Sequence, residues 1–234
     1  MQDTSALYKS LLLSDNHWFQ TRIKIGNTYY GENYLMSLST SHSLFNKNVP
    51  VVGSAVSGEI DISMLSPSAT IPTMAKISVE VRVTDGTQTS EWIPKGVYYI
   101  DTRQKSKNSN GLDILTIHGY DSMLKFEQDY PSDTSHTYPL LDKTMVSFMA
   151  SAIGLSVDSR TNTRMNKSYK FPLPVGYSCR EMLSIIAASY GGNFIITDEN
   201  KLLLIKLGDL PPETNYLVDN LGNAIVFGGT RILV

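Results

Sequence analysis

Apolar and polar positions alternate most strictly in "KISVEVRVT", where Ile77, Val79, Val81 and Val83 fall on one side and Lys76, Ser78, Glu80, Arg82 and Thr84 on the other. Period-two alternation of this length predicts a half-buried strand in an antiparallel sheet. "GEIDISM" repeats the pattern, with Ile60, Ile62 and Met64 inward and Glu59 and Asp61 outward. "GVYYIDT" and "LDILTIH" flank a polar stretch, Arg103 to Gly111, which predicts a hairpin with that stretch as its loop. Upstream, "TRIKIGNTYYGENYLMSLS" reads as another hairpin, with Ile23 and Ile25 inward and Gly26-Asn27 as its turn. A short helix from about Thr4 to Leu13 places Leu7, Leu11 and Leu12 close to one face, to cap a sheet or dock on a neighbour. A loop rich in Ser, Asn and Pro is expected from about Ser41 to Ser57. No helical pattern lies between the strands of the first 130 residues, so parallel pairing is excluded and a small antiparallel barrel or sandwich is expected.

The periodicity changes after "QDYPSDTSHTYP", where Pro131 and Pro139 bracket a polar boundary. "LLDKTMVSFMASAIG" carries Met145, Phe148, Met149 and Ile153 at helical spacing, with Gly154 placed to end the helix. A second helix opens at Ser178, whose spacing to Glu181 is that of a capping box. Met182, Leu183, Ile185, Ile186 and Tyr190 form its apolar stripe, and Gly191-Gly192 follow as a stop signal. Strands Phe194 to Thr197 and Leu202 to Leu207 are expected about the turn "DENK". The segment from "DLPPETNY" onward becomes strand-like again and ends on the apolar "RILV". Such an end suggests further strands supplied by a partner or a continuation.

Composition narrows the function. The 234 residues are 41% hydrophobic and 18% charged, as in a folded chain, with room for two domains. A net charge of -2 provides no global field toward nucleic acid or an anionic membrane. The single cysteine, Cys179, excludes an internal disulfide and a thiolate-rich zinc site. No apolar run reaches the roughly 20 residues that cross a bilayer, so no membrane insertion is expected.

Candidate chemistry is thin. The sequence has no G-x-S-x-G elbow, no phosphate-binding loop and no H-E-x-x-H, and its four histidines are scattered. His118 stands three residues before Asp121, which could orient it, although a polar strand end is the plainer account. Glu59 and Asp61 could form an acid pair, although surface carboxylates at that spacing are common. Cys179 occupies the first turn of its helix, where the dipole lowers a thiol pKa, but no basic partner is evident. "RQKSK" is either a solvated tip or a contact for an acidic neighbour, and lacks the interleaved aromatics that stack bases.

At "GEIDISM", "IPTMAKISVEVRVTDGTQTSEWIPKGVYYIDT" and "IHGYDSMLKFEQDYP" the chain resembles the N-terminal part of phage tail hub proteins. That group includes tail-tip, tail-associated proteins and late-control-D-like baseplate hubs. The helix, double glycine and acidic-turn hairpin of residues 178–207 resemble its second domain. The resemblance implies a mainly β fold with an α/β insert. Residues 1–130 would be the first β-barrel, 131–209 a helix-plus-hairpin domain, and 210–234 the start of a second, incomplete barrel.

It further implies a non-enzymatic virion structural protein at the tail tip or baseplate. Such a protein forms a homotrimeric ring that closes the tail tube and adapts its six-fold symmetry to a three-fold spike or fibre. The implied partners are the tube or distal tail protein, the tape measure protein and the spike or fibre, with no cofactor and no metal. Candidate assembly contacts are Trp92, Tyr98, Tyr99, Arg103, Lys105, Lys107 and Tyr190. The alternatives are a tail-associated cell-wall hydrolase, a carbohydrate- or receptor-binding module using Tyr29 and Tyr30, and a secretion-system spike hub.

Overall fold

The computed structural model describes residues 4–45, 50–132, 135–209, 226–227 and 230–231, the last two pairs in backbone only. A first helix, α1 (Ala6–Leu12), is capped by the Ser5 hydroxyl, which accepts from Tyr8 N–H, and buries Leu11. The alternating segments then form β1 (Trp18–Ile25), β2 (Thr28–Tyr30) and β3 (Leu35–Ser41). A two-residue β4 (Ser54–Ala55) precedes β5 (Glu59–Leu65), β6 (Lys76–Thr84), β7 (Ile93–Lys107) and β8 (Asp113–Asp121). All but β4 join one curled antiparallel sheet, a half-barrel, in the order β2-β1-β6-β7-β8-β5-β3. Every pairing is antiparallel, as the absence of crossover helices required.

The alternation decides which face is dry. Ile60 and Ile62 are essentially fully buried on β5 while Glu59 and Asp61 between and before them are exposed. Ile23, Ile77, Val79, Tyr98, Ile100 and Ile117 complete this concave core, each aliphatic side chain contributing about 2 kcal/mol. Val81, expected inward with its neighbours, is only half-buried. The β1–β2 turn is the predicted Gly26-Asn27, with Gly26 at φ +60°.

β7 departs from expectation. The stretch expected as a loop from Arg103 is strand through Lys107, laddered on β8 from Thr102–His118 to Lys107–Asp113. "RQKSK" alternates in type, and a charged alternation pairs as readily as an apolar one when it needs no burial. The turn proper is Asn108 to Leu112, where the Asn108 side chain accepts from the Asn110 and Leu112 N–H groups.

After β8, a 3-10 helix (Ser122–Glu127) leads to β9 (Leu140–Leu141) and α2 (Asp142–Ala152). There follow β10 (Ser156–Val157), α3 (Ser159–Arg164), β11 (Lys170–Phe171), α4 (Cys179–Ser189), β12 (Gly192–Ile196) and β13 (Lys201–Lys206). β12 and β13 are the expected hairpin, and Asn200 takes the left-handed conformation in its turn. The α4 capping box is formed on both arms. The two glycines have separate duties. Gly191, at φ +65°, ends the helix, whereas a Cβ on Gly192 would lie 2.3 Å from the Ile205 carbonyl oxygen.

A second core gathers Met145, Met149, Leu183, Ile186, Phe194 and Leu204. Ile185, expected in that stripe, is 40% exposed, one helical step outside the buried arc. The expected loop from Ser41 to Ser57 contains β4, which pairs in parallel with β12 and so belongs to the second sheet, ordered β10-β13-β12-β4. Of the expected second barrel, residues 210–225, 228–229 and 232–234 lie outside the described residues. β14 (Val226–Phe227) pairs antiparallel with β15 (Thr230–Arg231).

Candidate assembly surface

On the convex face, β1 and β6 bring Arg22 opposite Glu80 and Gln20 opposite Arg82. Arg22 Nε donates to Glu80 Oε2 at 2.6 Å, and Arg82 Nε donates to Gln20 Oε1 at 2.8 Å. Those bonds fix both guanidiniums against Trp92, at 4.0 Å and 4.3 Å from its ring. Arg22 also lies 4.2 Å from the Tyr29 ring, which Lys24 approaches at 5.2 Å. The result is a ladder of cations and aromatics along the sheet exterior, beside a shallow cleft that Asn33 and Glu32 help to line. Each contact of this kind is worth about 0.5–1 kcal/mol at an exposed site. Trp92 was anticipated; Arg22 and Arg82 were not, although their outward positions in alternating strands were the signal for them. Tyr30 is buried in the sheet core, and cations stand over the Tyr29 ring. Tyr30 is therefore not a surface for glycan stacking, whereas Tyr29 is 47% exposed.

Two anticipated contacts are core residues instead. Tyr98 is fully buried, because its position in β7 faces Ile77, and its hydroxyl shares a 2.7 Å hydrogen bond with His42 Nε2. Tyr190 is 8% exposed and donates from its hydroxyl to Asp142 Oδ2. Tyr99 points the other way from Tyr98, half-buried beneath the Lys125 ammonium at 4.2 Å. Arg103, Lys105 and Lys107 share one exposed flank of β7, where Arg103 donates to the Ile71 carbonyl and Lys107 pairs with Asp113 at 3.2 Å.

The remaining polar groups have structural employment. His118 Nδ1 meets Asp61 Oδ1 at 2.8 Å rather than Asp121, since Asp61 is its cross-strand neighbour. Asp121 turns inward and accepts from Gly58 N–H at 2.6 Å and Met123 N–H at 2.9 Å. Burial raises its carboxyl to about 7, against the opposing pull of those two bonds and of Arg180. Nearby, Ser122 Oγ donates to Asn200 and Lys95 Nζ lies 3.7 Å from Asp198, so the two sheets meet across a polar seam. Cys179 is buried, and burial pushes its thiol up to about 11. Desolvation disfavours the thiolate, so the position in the first turn of α4 does not activate it.

Among the described residues no three His, Cys, Asp or Glu side chains gather in a metal-holding group. No helix among them is long and apolar enough to cross a membrane. The site described is a surface of strand edges, stacked cations and aromatics.

No family model matches the sequence, and no curated protein matches it. Among solved structures, the 43 kDa tail protein of prophage MuSo2 from Shewanella oneidensis is similar at a TM-score of 0.61 and 14% identity. That similarity covers 89% of this chain and 61% of the other. A tail protein from Neisseria meningitidis MC58 is similar at a TM-score of 0.53 and 14% identity, covering 88% of this chain and 58% of that one. The chain therefore spans about three fifths of the length of these tail proteins. Its fold is that of phage tail proteins.

Proposed function

We propose that the chain is a structural hub protein of a phage or phage-like tail, acting in the tip or baseplate. Residues 1–130 serve as a barrel-forming ring unit, 131–209 as an α/β insert on its flank, and 210–234 as the opening of a second ring unit. Three copies close a ring that meets the tail tube on one side and a spike or fibre on the other. The tape measure protein and the distal tail or tube protein are its neighbours. A two-unit chain in three copies presents six similar units, which reconciles a six-fold tube with a three-fold spike.

The observation that carries this reading is the likeness to two tail proteins over nearly nine tenths of the chain. The open sheet supports it. β3 and β1 are joined by no ladder among the described residues, leaving backbone flanks of a kind that assemblies cover. Trp92, Tyr99, Arg103, Lys105 and Lys107 remain as proposed contacts, joined by Arg22 and Arg82.

Mass photometry or sedimentation velocity on the complete gene product tests the reading. A trimer is expected. A monomer at micromolar concentration refutes the hub, and a lytic zone on cell-wall zymography would replace it with the hydrolase.

A further inference from the structure

Arg22 and Arg82 are guanidiniums fixed in advance of any partner. Each spends its Nε–H on the neighbouring strand, Arg22 on Glu80 at 2.6 Å and Arg82 on Gln20 at 2.8 Å. Each also rests on the Trp92 indole, at 4.0 Å and 4.3 Å, and Arg22 lies 4.2 Å from the Tyr29 ring as well. A guanidinium held through Nε keeps its two Nη groups for another acceptor. Among the described residues neither pair of Nη groups has one.

The charges here do not balance. Glu80 answers Arg22, whereas Gln20 is neutral, so among the described residues no carboxylate pairs with Arg82. Lys24 adds a further cation beside Tyr29. Both arginines are half-buried, where an unanswered charge costs more than it does in open water.

We propose that this cleft receives a carboxylate side chain from a protein other than a second copy of this chain, with Arg82 as its main anchor. The proposal names the partner's chemistry for contacts already given to assembly, and rests on that reading for the partner being a tail protein. A carboxylate accepts from the two Nη groups of one guanidinium as a fork, in the plane that the Trp92 stack has already set. Because both side chains are tethered before the partner arrives, little rotamer entropy remains to be lost.

Three features select the occupant. The cleft is open and about 320 Å³, which suits a side chain reaching in from a partner's surface better than an enclosed ligand. Glu32 lines it and Glu80 lies beside Arg22, so a chain of repeated phosphates would meet like charge, whereas a single carboxylate reaches Arg82 alone. Its donors stand on the face of the sheet, so a ring closed through the open flanks of β1 and β3 leaves it to a different protein.

Titration of the full chain with acetyl-triglutamate amide tests this. The readout is the Trp92 indole N–H resonance, in a Trp18→Phe background that leaves one tryptophan. The resonance is expected to shift at millimolar peptide, to ignore the glutamine peptide of the same length, and to return as salt is added. Arg82→Gln is expected to weaken binding about tenfold. Arg82→Lys keeps the stem and the charge, which guards against a folding defect, and is expected to bind more weakly than wild type because an ammonium has no fork.

Equal binding by Arg82→Lys and wild type overturns the fork. Equal shifts with the two peptides, or none with either, overturn the site. Tighter binding of oligothymidylate than of the glutamate peptide overturns the protein partner in favour of a phosphodiester. Sedimentation of the same samples separates this inference from the ring. A monomer that binds through Arg82 retains the carboxylate site and loses the ring, and an oligomer that ignores the peptide does the reverse. Where Arg82→Gln also dissociates that oligomer, the occupant is a second copy and the assignment to a different protein is overturned.

Discussion

Asp121 stands at the seam between the two sheets, 2% exposed, with its carboxyl raised from an ordinary 3.8 to about 7 by burial. The folded chain therefore holds a proton that the unfolded chain has already released at mildly acidic pH. That stabilising contribution is fully present below pH 3.8 and is lost as pH rises through 7. The gap between the two values, at about 1.4 kcal/mol for each pH unit, amounts to about 4 kcal/mol. Between roughly pH 5 and pH 8 about 2.5 kcal/mol of it disappears.

Asp121→Asn removes the titration while keeping the shape. It starts lower by about 1–3 kcal/mol, because the amide nitrogen confronts either the Gly58 or the Met123 N–H. Its stability nevertheless lacks this component of the pH dependence. Urea unfolding of both proteins at several pH values, followed by circular dichroism, yields the two slopes. The wild type should lose about 2.5 kcal/mol more than the variant across that range. Parallel curves would refute the claim that Asp121 is buried and protonated at the seam.

Gly192→Ala should destabilise by about 2–3 kcal/mol, since its Cβ meets the Ile205 carbonyl, whereas Gly191→Ala should cost about 1 kcal/mol for its positive φ alone; thermal melts rank the two. Phe194→Ala empties a fully buried site and should cost about 3–5 kcal/mol in denaturant unfolding. Trp92→Ala should cost only about 1–2 kcal/mol, the two guanidinium contacts, with the sheet signal in circular dichroism retained. The Cys179 thiol should resist alkylation at pH 8 in the folded chain and react promptly in urea, by mass spectrometry.

Much of the fold is written in short-range alternation. The β5 and β6 strands, the Gly26-Asn27 turn and the Ser178–Glu181 cap all follow from neighbours within a few residues. What escaped the sequence depends on distant partners. Tyr98 and Tyr99 are adjacent aromatics of one strand, and only the closure of the sheet over Ile77 decides that Tyr98 is interior and Tyr99 is not. Arg22 and Arg82 lie 60 positions apart in the numbering and become neighbours of Trp92 through the β1–β6 register. The strand character of 103–107 was hidden because polar residues paired on an exposed ladder leave no hydrophobic signature. Ser159–Arg164 was invisible for a similar reason. α3 is a short polar turn held by Asp158 at its cap and by Thr161 and Arg164, which bond to β13 carbonyls.

The two residues of β4 carry a consequence for how such proteins can change. Ser54 and Ala55 leave the chain of the first sheet, lie down beside Phe194, and return in time to begin β5. Asn193 clasps the same excursion by bonding Ser54 N–H and the Leu44 and Val51 carbonyls. The α/β lobe is therefore not a detachable cassette. Excising residues 131–209 would strand that excursion with its hydrogen bonds unanswered, so a shortened relative must redesign the stretch near residue 54 in the same step. Genetic exchange between chains of this fold should find its permitted crossover points outside this stitch.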